Sequence, residues 1–222
     1  AVLEKFAIIH ATLEEFITEI SKKNNEILES IVAQAGKSNN SKIVTAKENA
    51  QKLRTLTQKT LVDIDKLKQQ MIKLSNTDKV DEMMINDHSM KVATMMIAPS
   101  SAEGKNFEKL LNDYVAEVRK LTGTSTKEFP TLAKAPKDMP MFANDDDHNS
   151  KDFLTFNFEN TPPIAALATV TQIQTEVLEY ENRALDKLRS DADAQILRFD
   201  KIVPMVRPKS TIVAAGAKYE AE

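Results

Sequence analysis

The sequence predicts an all-α fold, an elongated bundle of about four main helices, two of them very long, followed by the start of a β-rich domain. Apolar residues recur every three or four positions through most of the first 200 residues, which is the period of amphipathic helices. Glycine, which destabilises helix interiors, occurs only 4 times in 222 residues. From residue 201 the pattern changes to a strand, a turn and part of a second strand. We therefore expect a helical domain over 1–200 and a linker with the first strands of a truncated β domain over 201–222, cut from a longer protein.

The first predicted helix ends near Gly36 and is interrupted by a polar step at residues 23–25. Residues 38–41 form a polar connector, in which Ser41 is the expected N-cap of the next helix. The apolar row of the first helix comprises Phe6, Ile9, Leu13, Phe16, Ile20, Ile27 and Ile31.

The second predicted helix is the most regular. Its row comprises Ile43, Ala46, Ala50, Leu53, Thr57, Thr60, Ile64, Leu67, Met71 and Leu74. At 1.5 Å per residue such a helix is about 50 Å long, which indicates a rod-like bundle.

Shorter helices are expected next. Asp78 can cap one helix or two short ones that end before Pro99, and Gly104 with Lys105 opens another that Gly123 closes as a left-handed cap. The first of these carries Val80, Met83, Met84, Met90, Val92 and Met95.

Residues 124–160 lack periodicity and carry three prolines and an acidic run, which predicts a long surface excursion. Thr161 as N-cap and Pro162 as first helical residue then begin a last long helix that runs to about Phe199. Its core row comprises Ile164, Leu167, Val170, Ile173, Val177, Leu178, Leu185 and Leu188.

Composition restricts the possible partners. A net charge of -3 with interspersed Lys and Glu favours neither nucleic acid nor an anionic membrane surface. The absence of cysteine excludes a disulfide framework and a thiolate metal site. No apolar run approaches the roughly 20 residues that span a bilayer, so any membrane anchor is expected outside this sequence.

No catalytic, cofactor-binding or metal-binding residue is predicted, and we expect a protein that is not an enzyme. A di-metal bundle needs a Glu-x-x-His step on two helices, and neither His10 nor His88 has one. The acidic run at 145–148 lacks the alternate acidic positions, central Gly and final Glu of an EF-hand, so we interpret it as a solvated loop.

The methionines at 83, 84, 90, 95 and 96 could bind a soft metal, but their helical spacing favours core packing. Neither a nucleophile motif nor a glycine-rich phosphate loop is present. Three polar residues of the last helix, Thr171, Gln174 and Glu181, fall on one edge of its apolar row. They are expected to face either a partner chain or solvent.

The last helix and the tail carry a family resemblance. Residues 156–158, 160–167, 172–177, 180–182, 203–213 and 216–221 resemble the periplasmic region of the GldM/PorM family of the type IX secretion and gliding machinery. The tail is similar to the passage in that family from a helical first periplasmic domain into a β-rich one. The first hundred residues match only as long helices.

The resemblance implies a periplasmic protein anchored in the bacterial inner membrane by a helix upstream of Ala1. It implies a homodimer whose membrane helix works with a GldL/PorL-like partner, and distal domains that reach outer-membrane components. The expected function is to transmit movement driven by the proton-motive force, without cofactor, nucleic acid or small-molecule substrate. We also expect the Pro204 to Pro208 junction to set the angle of the next domain, because proline restricts the backbone.

The main alternative is a periplasmic sensor bundle that binds a small ligand between its helices. A sensor must return its last helix toward the membrane, whereas here that helix leads to Pro204 and a strand. A metal-carboxylate enzyme and a cytosolic coiled-coil scaffold are further alternatives. The first lacks ligand spacing, and the second leaves the tail unexplained.

Overall fold

The computed structural model describes residues 2–75, 79–80, 83 and 90–199, and within these residues it contains helices and no strand. The all-α prediction is therefore confirmed there, whereas the predicted β segment, the Pro204 to Pro208 junction, Asp78, Met84 and His88 lie outside. The α-helices are α1 (Val2–Ala35), α2 (Ser41–Leu74), α3 (Lys91–Ile97), α4 (Glu103–Thr122), α5 (Asp146–Asn149), α6 (Phe153–Phe158) and α7 (Pro163–Phe199). Two 3-10 turns, Pro136–Asp138 and Pro140–Phe142, precede α5.

Helix α7 is the centre of the bundle. Between residues 163 and 181 nearly every side chain is buried, because α1, α2, α3 and α4 surround this helix. Such all-round burial is typical of a central helix, in contrast to the single apolar stripe of a surface helix. Its most extensive contacts are with α1 and α2.

The contacts define the helix directions. Helix α1 runs parallel to α7, since Asn24 contacts Leu178 and Gln34 contacts Asp193 further along both helices. Helix α2 returns antiparallel after a short connection, so its start lies beside the end of α7. Helix α4 runs antiparallel to α2, with Asn49 donating a hydrogen bond to the carbonyl of Leu121.

Helix α2 confirms its predicted row, since every member except the half-buried Leu74 is buried. The predicted cap, however, is wrong by one residue. The side chain of Asn40 accepts the hydrogen bond from the Lys42 amide at 2.9 Å, and Ser41 is already the first helical residue. Asn and Ser cap equally well, so the choice depends on which residue has extended backbone angles. Here Asn40 has them.

A glycine has a structural role at each end of α4. A Cβ on Gly104 would lie 1.8 Å from the carbonyl oxygen of Met96, so glycine allows the close approach of these helices. Gly123 has φ 65° and closes α4 as predicted.

The start of α7 also differs from prediction by one residue. The carbonyl of Pro162 accepts a hydrogen bond from the Ala166 amide, and Pro163 is the first helical residue. Proline is favoured at that first position, so the local chemistry was identified correctly and assigned one residue early.

The surface excursion predicted for residues 124–160 is partly wrong. Phe129, Leu132, Phe153, Leu154 and Phe158 are buried in the main core. The segment folds as turns and helices of three to six residues. Helices this short contain less than two turns, so their apolar residues show no helical period in the sequence.

Candidate functional site

Two clusters of buried polar side chains connect α7 to its neighbours, at adjacent levels of the bundle. The first, the enclosed cluster, comprises Asn24, Arg54, Thr57, Tyr114, Glu181 and Asn182. The second, the open cluster, comprises His10, Glu14, Asp65, Lys68 and Gln174. Each cluster contains residues from α1, α2 and α7, and Tyr114 adds α4 to the first.

An ion pair between α2 and α7 is the core of the enclosed cluster. Arg54 Nη2 lies 2.9 Å from Glu181 Oε1, and the two side chains are 11% and 0% exposed. Burial raises the pKa of Glu181, while the nearby Thr57 hydroxyl and the Arg54 charge act in the opposite direction. Because charges are costly to bury, each member of this pair depends on the other.

Tyr114 extends the enclosed cluster to α4. Its hydroxyl donates to the carbonyl of Val177 at 3.1 Å and lies 3.0 Å from Thr57 Oγ1. Burial raises the pKa of Tyr114, so this phenol stays protonated. A buried tyrosine normally needs such a partner for its hydroxyl, and here the partners come from two other helices.

Asn24 is the polar interruption in the row of α1. Its Nδ2 donates to the carbonyl of Leu178 at 3.0 Å, and its Oδ1 accepts from Asn182 Nδ2 at 2.8 Å. Asn24 is fully buried, so this residue fixes the level at which α1 meets α7.

The open cluster surrounds Lys68, which is only 6% exposed. Its Nζ donates to Gln174 Oε1 at 2.9 Å and also contacts Glu14. Gln174 in turn donates to Asp65 at 3.1 Å. Unlike Glu181, the Glu14 and Asp65 side chains reach solvent, with 43% and 59% exposure.

His10 is the member of the open cluster nearest the start of α1, and its Nε2 lies 3.4 Å from Glu14 Oε1. Its pKa is lowered, mainly by burial and also by the Lys68 charge, against the opposing effect of Glu14. His10 is therefore a neutral, largely buried residue at neutral pH.

The prediction for Thr171, Gln174 and Glu181 is wrong in both of its forms. These side chains face neither solvent nor a free surface, because all three are buried within this chain. Thr171 donates to the carbonyl of Leu167 one turn earlier, while the other two join the clusters. The apolar row defined by the sequence was too narrow, since α7 is surrounded by helices.

Sequence reasoning missed Arg54 and Lys68. Each stands immediately after a buried leucine of the α2 row, so the helical period placed them at the edge of the core. That position was the available signal. The sequence did not show which residues accept from Arg54 and Lys68, because Glu181 and Gln174 lie more than 100 positions further along the chain.

Among the described residues, no group of three or more His, Cys, Asp or Glu side chains could hold a metal ion. In the acidic loop, Asp145 accepts from the His148 ring at 2.7 Å and caps α5, and His148 stacks on Phe142. These contacts organise the loop around its own histidine.

The methionine prediction is confirmed for Met83, Met95 and Met96 and is wrong for Met90. Met83 and Met96 are buried, and Met95 packs against the core, whereas Met90 is 47% exposed. The first three side chains fill space between helices, as expected of flexible apolar residues.

Comparison with known proteins gives one family. The model of the GldM N-terminal domain matches residues 1–191, which is most of the chain. A search of curated proteins gave no match. Within the part of the chain that the structure describes, no helix is long and apolar enough to cross a membrane.

Proposed function

Because this chain belongs to the GldM family as its N-terminal domain, and is thus a component of the gliding and type IX secretion motor, we propose that it transmits movement driven by the proton-motive force. The movement would pass from the inner membrane toward outer-membrane components. The observation that carries the proposal is that buried polar contacts join the three long helices α1, α2 and α7.

Length supports a transmitting role. Helices α1 and α2 have 34 residues each and α7 has 37, so each is about 50 Å long. Bending such a bundle would open its continuous apolar contacts to water, and closely packed interiors resist that change. A long, stiff body transfers displacement from one end to the other.

The polar clusters add resistance to sliding. A one-turn shift of α7 would separate Arg54 from Glu181 and Asn24 from the Leu178 carbonyl, and it would leave these groups buried without partners. Apolar side chains alone can exchange neighbours at lower cost. The clusters thus fix the register that force transmission requires.

The remaining parts of the proposal concern partners and location. We propose that the full-length protein is a periplasmic homodimer anchored in the inner membrane, where a GldL/PorL-like partner supplies the movement. Distal domains would make the outer-membrane contacts. We also propose that this domain has a non-catalytic role, as a structural part of the motor.

Two insertions of equal length into the full-length protein test the proposal. Both follow Ala194, an exposed residue of α7 two positions beyond the buried Ala192. A seven-residue Gly/Ser insertion introduces a flexible joint, whereas a seven-residue Ala/Glu/Lys insertion adds two helical turns. We expect the flexible insertion to abolish secretion and gliding, and the helical one to retain them, at equal protein abundance.

Equal secretion by the two variants would contradict the transmission role. Abundance is measured by immunoblot and folding of the bundle by circular dichroism, so that loss of protein is distinguished from loss of coupling.

A further inference from the structure

A groove with charged lips runs along the outer face of α2. It consists of three cavities in line, two between α2 and α4 and one between α2 and the region of α3. The first has a volume of about 770 Å³ and the last about 750 Å³. Gln70 lines both the second and the third, so these two cavities are adjacent. We call this surface the α2 groove.

One lip of the groove is basic and strictly periodic. Lysines stand at every seventh position of α2, and each of them is exposed and lines one of the three cavities. They are Lys52, Lys59, Lys66 and Lys73. Among the ion pairs of the described residues, this row takes part in only one, between Lys66 and Asp63 on the same helix.

The opposite lip belongs to α4 and is acidic. Glu103, Asp113 and Glu117 line the cavities there. Between the lips lie leucines, of which Leu56 and Leu110 are half-buried.

Along the first two cavities, the groove thus has an apolar floor, an acidic lip on α4 and a lip on α2 in which three lysines outnumber Glu48 and Asp63. In the third cavity the residue opposite Lys73 is Lys91, so the acidic lip does not extend there.

The seven-residue repeat indicates the shape of the occupant. On a helix with 3.6 residues per turn, a row at every seventh position drifts by about 20° per repeat. A second helix that wraps around α2 with the left-handed turn of a coiled coil follows such a row. The repeat therefore matches a helix rather than a compact surface.

The two signs of charge exclude a polyanion as the occupant. Nucleic acid or an anionic lipid surface would meet the carboxylates of Glu103, Asp113 and Glu117 directly across from the lysines. Like charges placed opposite each other are unfavourable, whereas a helix with one acidic and one basic flank satisfies both lips.

We propose that the α2 groove binds an amphipathic α-helix of a partner protein. Its acidic residues, at every seventh position, would pair with the lysine row of α2, its apolar row would cover the leucine floor, and its basic flank would face α4. This surface is separate from the polar clusters, and the inference does not depend on the proposed function.

A designed peptide of 28 residues tests the inference. The probe carries Leu on its contact row, Glu at every seventh position on one flank and Lys at every seventh position on the other. The control peptide has the same composition, with Glu and Lys alternating along each flank, so that it matches the two lips in neither direction of the helix. Binding to this chain is measured by fluorescence anisotropy, and we expect the probe to bind at least about tenfold more tightly than the control.

Variants of the chain locate the binding surface. The triple variant K52E/K59E/K66E should weaken probe binding by about tenfold, because three attractive charge pairs between the lysine lip and the probe become repulsive. The matched variant K22E/K23E/K37E changes the same net charge at exposed lysines outside the groove and should bind like the unmodified chain. Circular dichroism verifies that both variants are folded.

The inference is overturned by any of three results. The peptides bind equally well, the lip variant binds the probe as tightly as the matched variant does, or neither peptide binds at millimolar concentration. Binding of inorganic polyphosphate in place of the probe would assign the lysine row to a polyanion and would also overturn it.

Discussion

The enclosed and open clusters both connect α1, α2 and α7, but they differ in how far their carboxylates are exposed to water. In the enclosed cluster, Glu181 is fully buried and its partner Arg54 nearly so. In the open cluster, Lys68 is buried, but Glu14 and Asp65 reach solvent. A carboxylate that reaches solvent can be hydrated when its partner is lost, whereas a buried one cannot.

Because of this difference, the Arg54–Glu181 pair should fix the register of α2 and α7 more strongly than the contacts of Lys68 do. Removing one member of the enclosed pair leaves a buried charge, so any sliding of α7 against α2 is strongly opposed. Removing Lys68 from the open cluster instead leaves Glu14 and Asp65 in contact with water, at modest cost.

The largest effect is expected for Glu181→Leu. Without its carboxylate, Arg54 becomes a buried cation without a partner, and breaking such a pair costs about 3–5 kcal/mol of the free energy of unfolding. Urea unfolding followed by circular dichroism measures this loss. The exposed Glu179→Leu on the same helix is the control, with an expected change within about 0.5 kcal/mol.

The double variant Arg54→Met with Glu181→Leu sharpens the first prediction. Replacing both charges with apolar side chains removes the desolvation cost, so most of the lost stability should return. A double variant as unstable as Glu181→Leu alone would show that packing, rather than the unpaired charge, causes the loss.

Tyr114→Phe should have an intermediate effect, of about 1 kcal/mol. The substitution keeps the buried ring and removes the hydroxyl that bonds Val177 and Thr57. A loss below the error of the urea measurement would mean that the hydroxyl adds nothing to the enclosed cluster.

Lys68→Met should also cost about 1 kcal/mol, far less than Glu181→Leu, because the only buried group that loses a partner is the neutral Gln174 Oε1 acceptor. The freed Glu14 and Asp65 are accessible to water, and Gln174 keeps its bond to Asp65. The same urea experiment measures it. If Lys68→Met were as destabilising as Glu181→Leu, exposure would not be what distinguishes the clusters.

The smallest effect is a pH dependence from His10. Its folded-state pKa lies below the ordinary value of 6.5, so the unfolded chain takes up the proton first as the pH falls. Stability from this residue is therefore complete above pH 6.5 and decreases as the pH falls toward the folded pKa. His10→Gln should remove this component when unfolding is measured across that range, and an unchanged pH profile would contradict the assignment.

The sequence predicted the long helices because their apolar period is continuous. The α2 row and the Gly123 cap depend on local chemistry, which one segment contains in full. In α1, by contrast, Ile9 and Phe16 of the predicted row are 46% and 41% exposed. Periodicity places residues on a common face, but a neighbouring helix decides how deeply that face is buried.

The clusters could be predicted only in part. Asn24 was noticed as an interruption of the α1 row, and Glu181 as a polar edge of α7, yet their partners lie far away in the sequence. A single sequence contains no signal that pairs Arg54 with Glu181. The packing of residues 124–135 against α7 could not be predicted either. It depends on Tyr180, which donates to the Pro130 carbonyl, and on Arg183, which lies over the Phe129 ring.

The central claim is that α2 and α7 keep one register. The chain has no cysteine, so Gln58→Cys on α2 with Asp191→Cys on α7 gives two specific spin-label sites, both exposed and at different levels of the bundle. Pulsed electron paramagnetic resonance then measures the label separation, which changes directly when the helices slide. We predict a single narrow distance distribution, which Glu181→Leu broadens and Lys68→Met does not. A broad or two-peaked distribution without either substitution would contradict the claim.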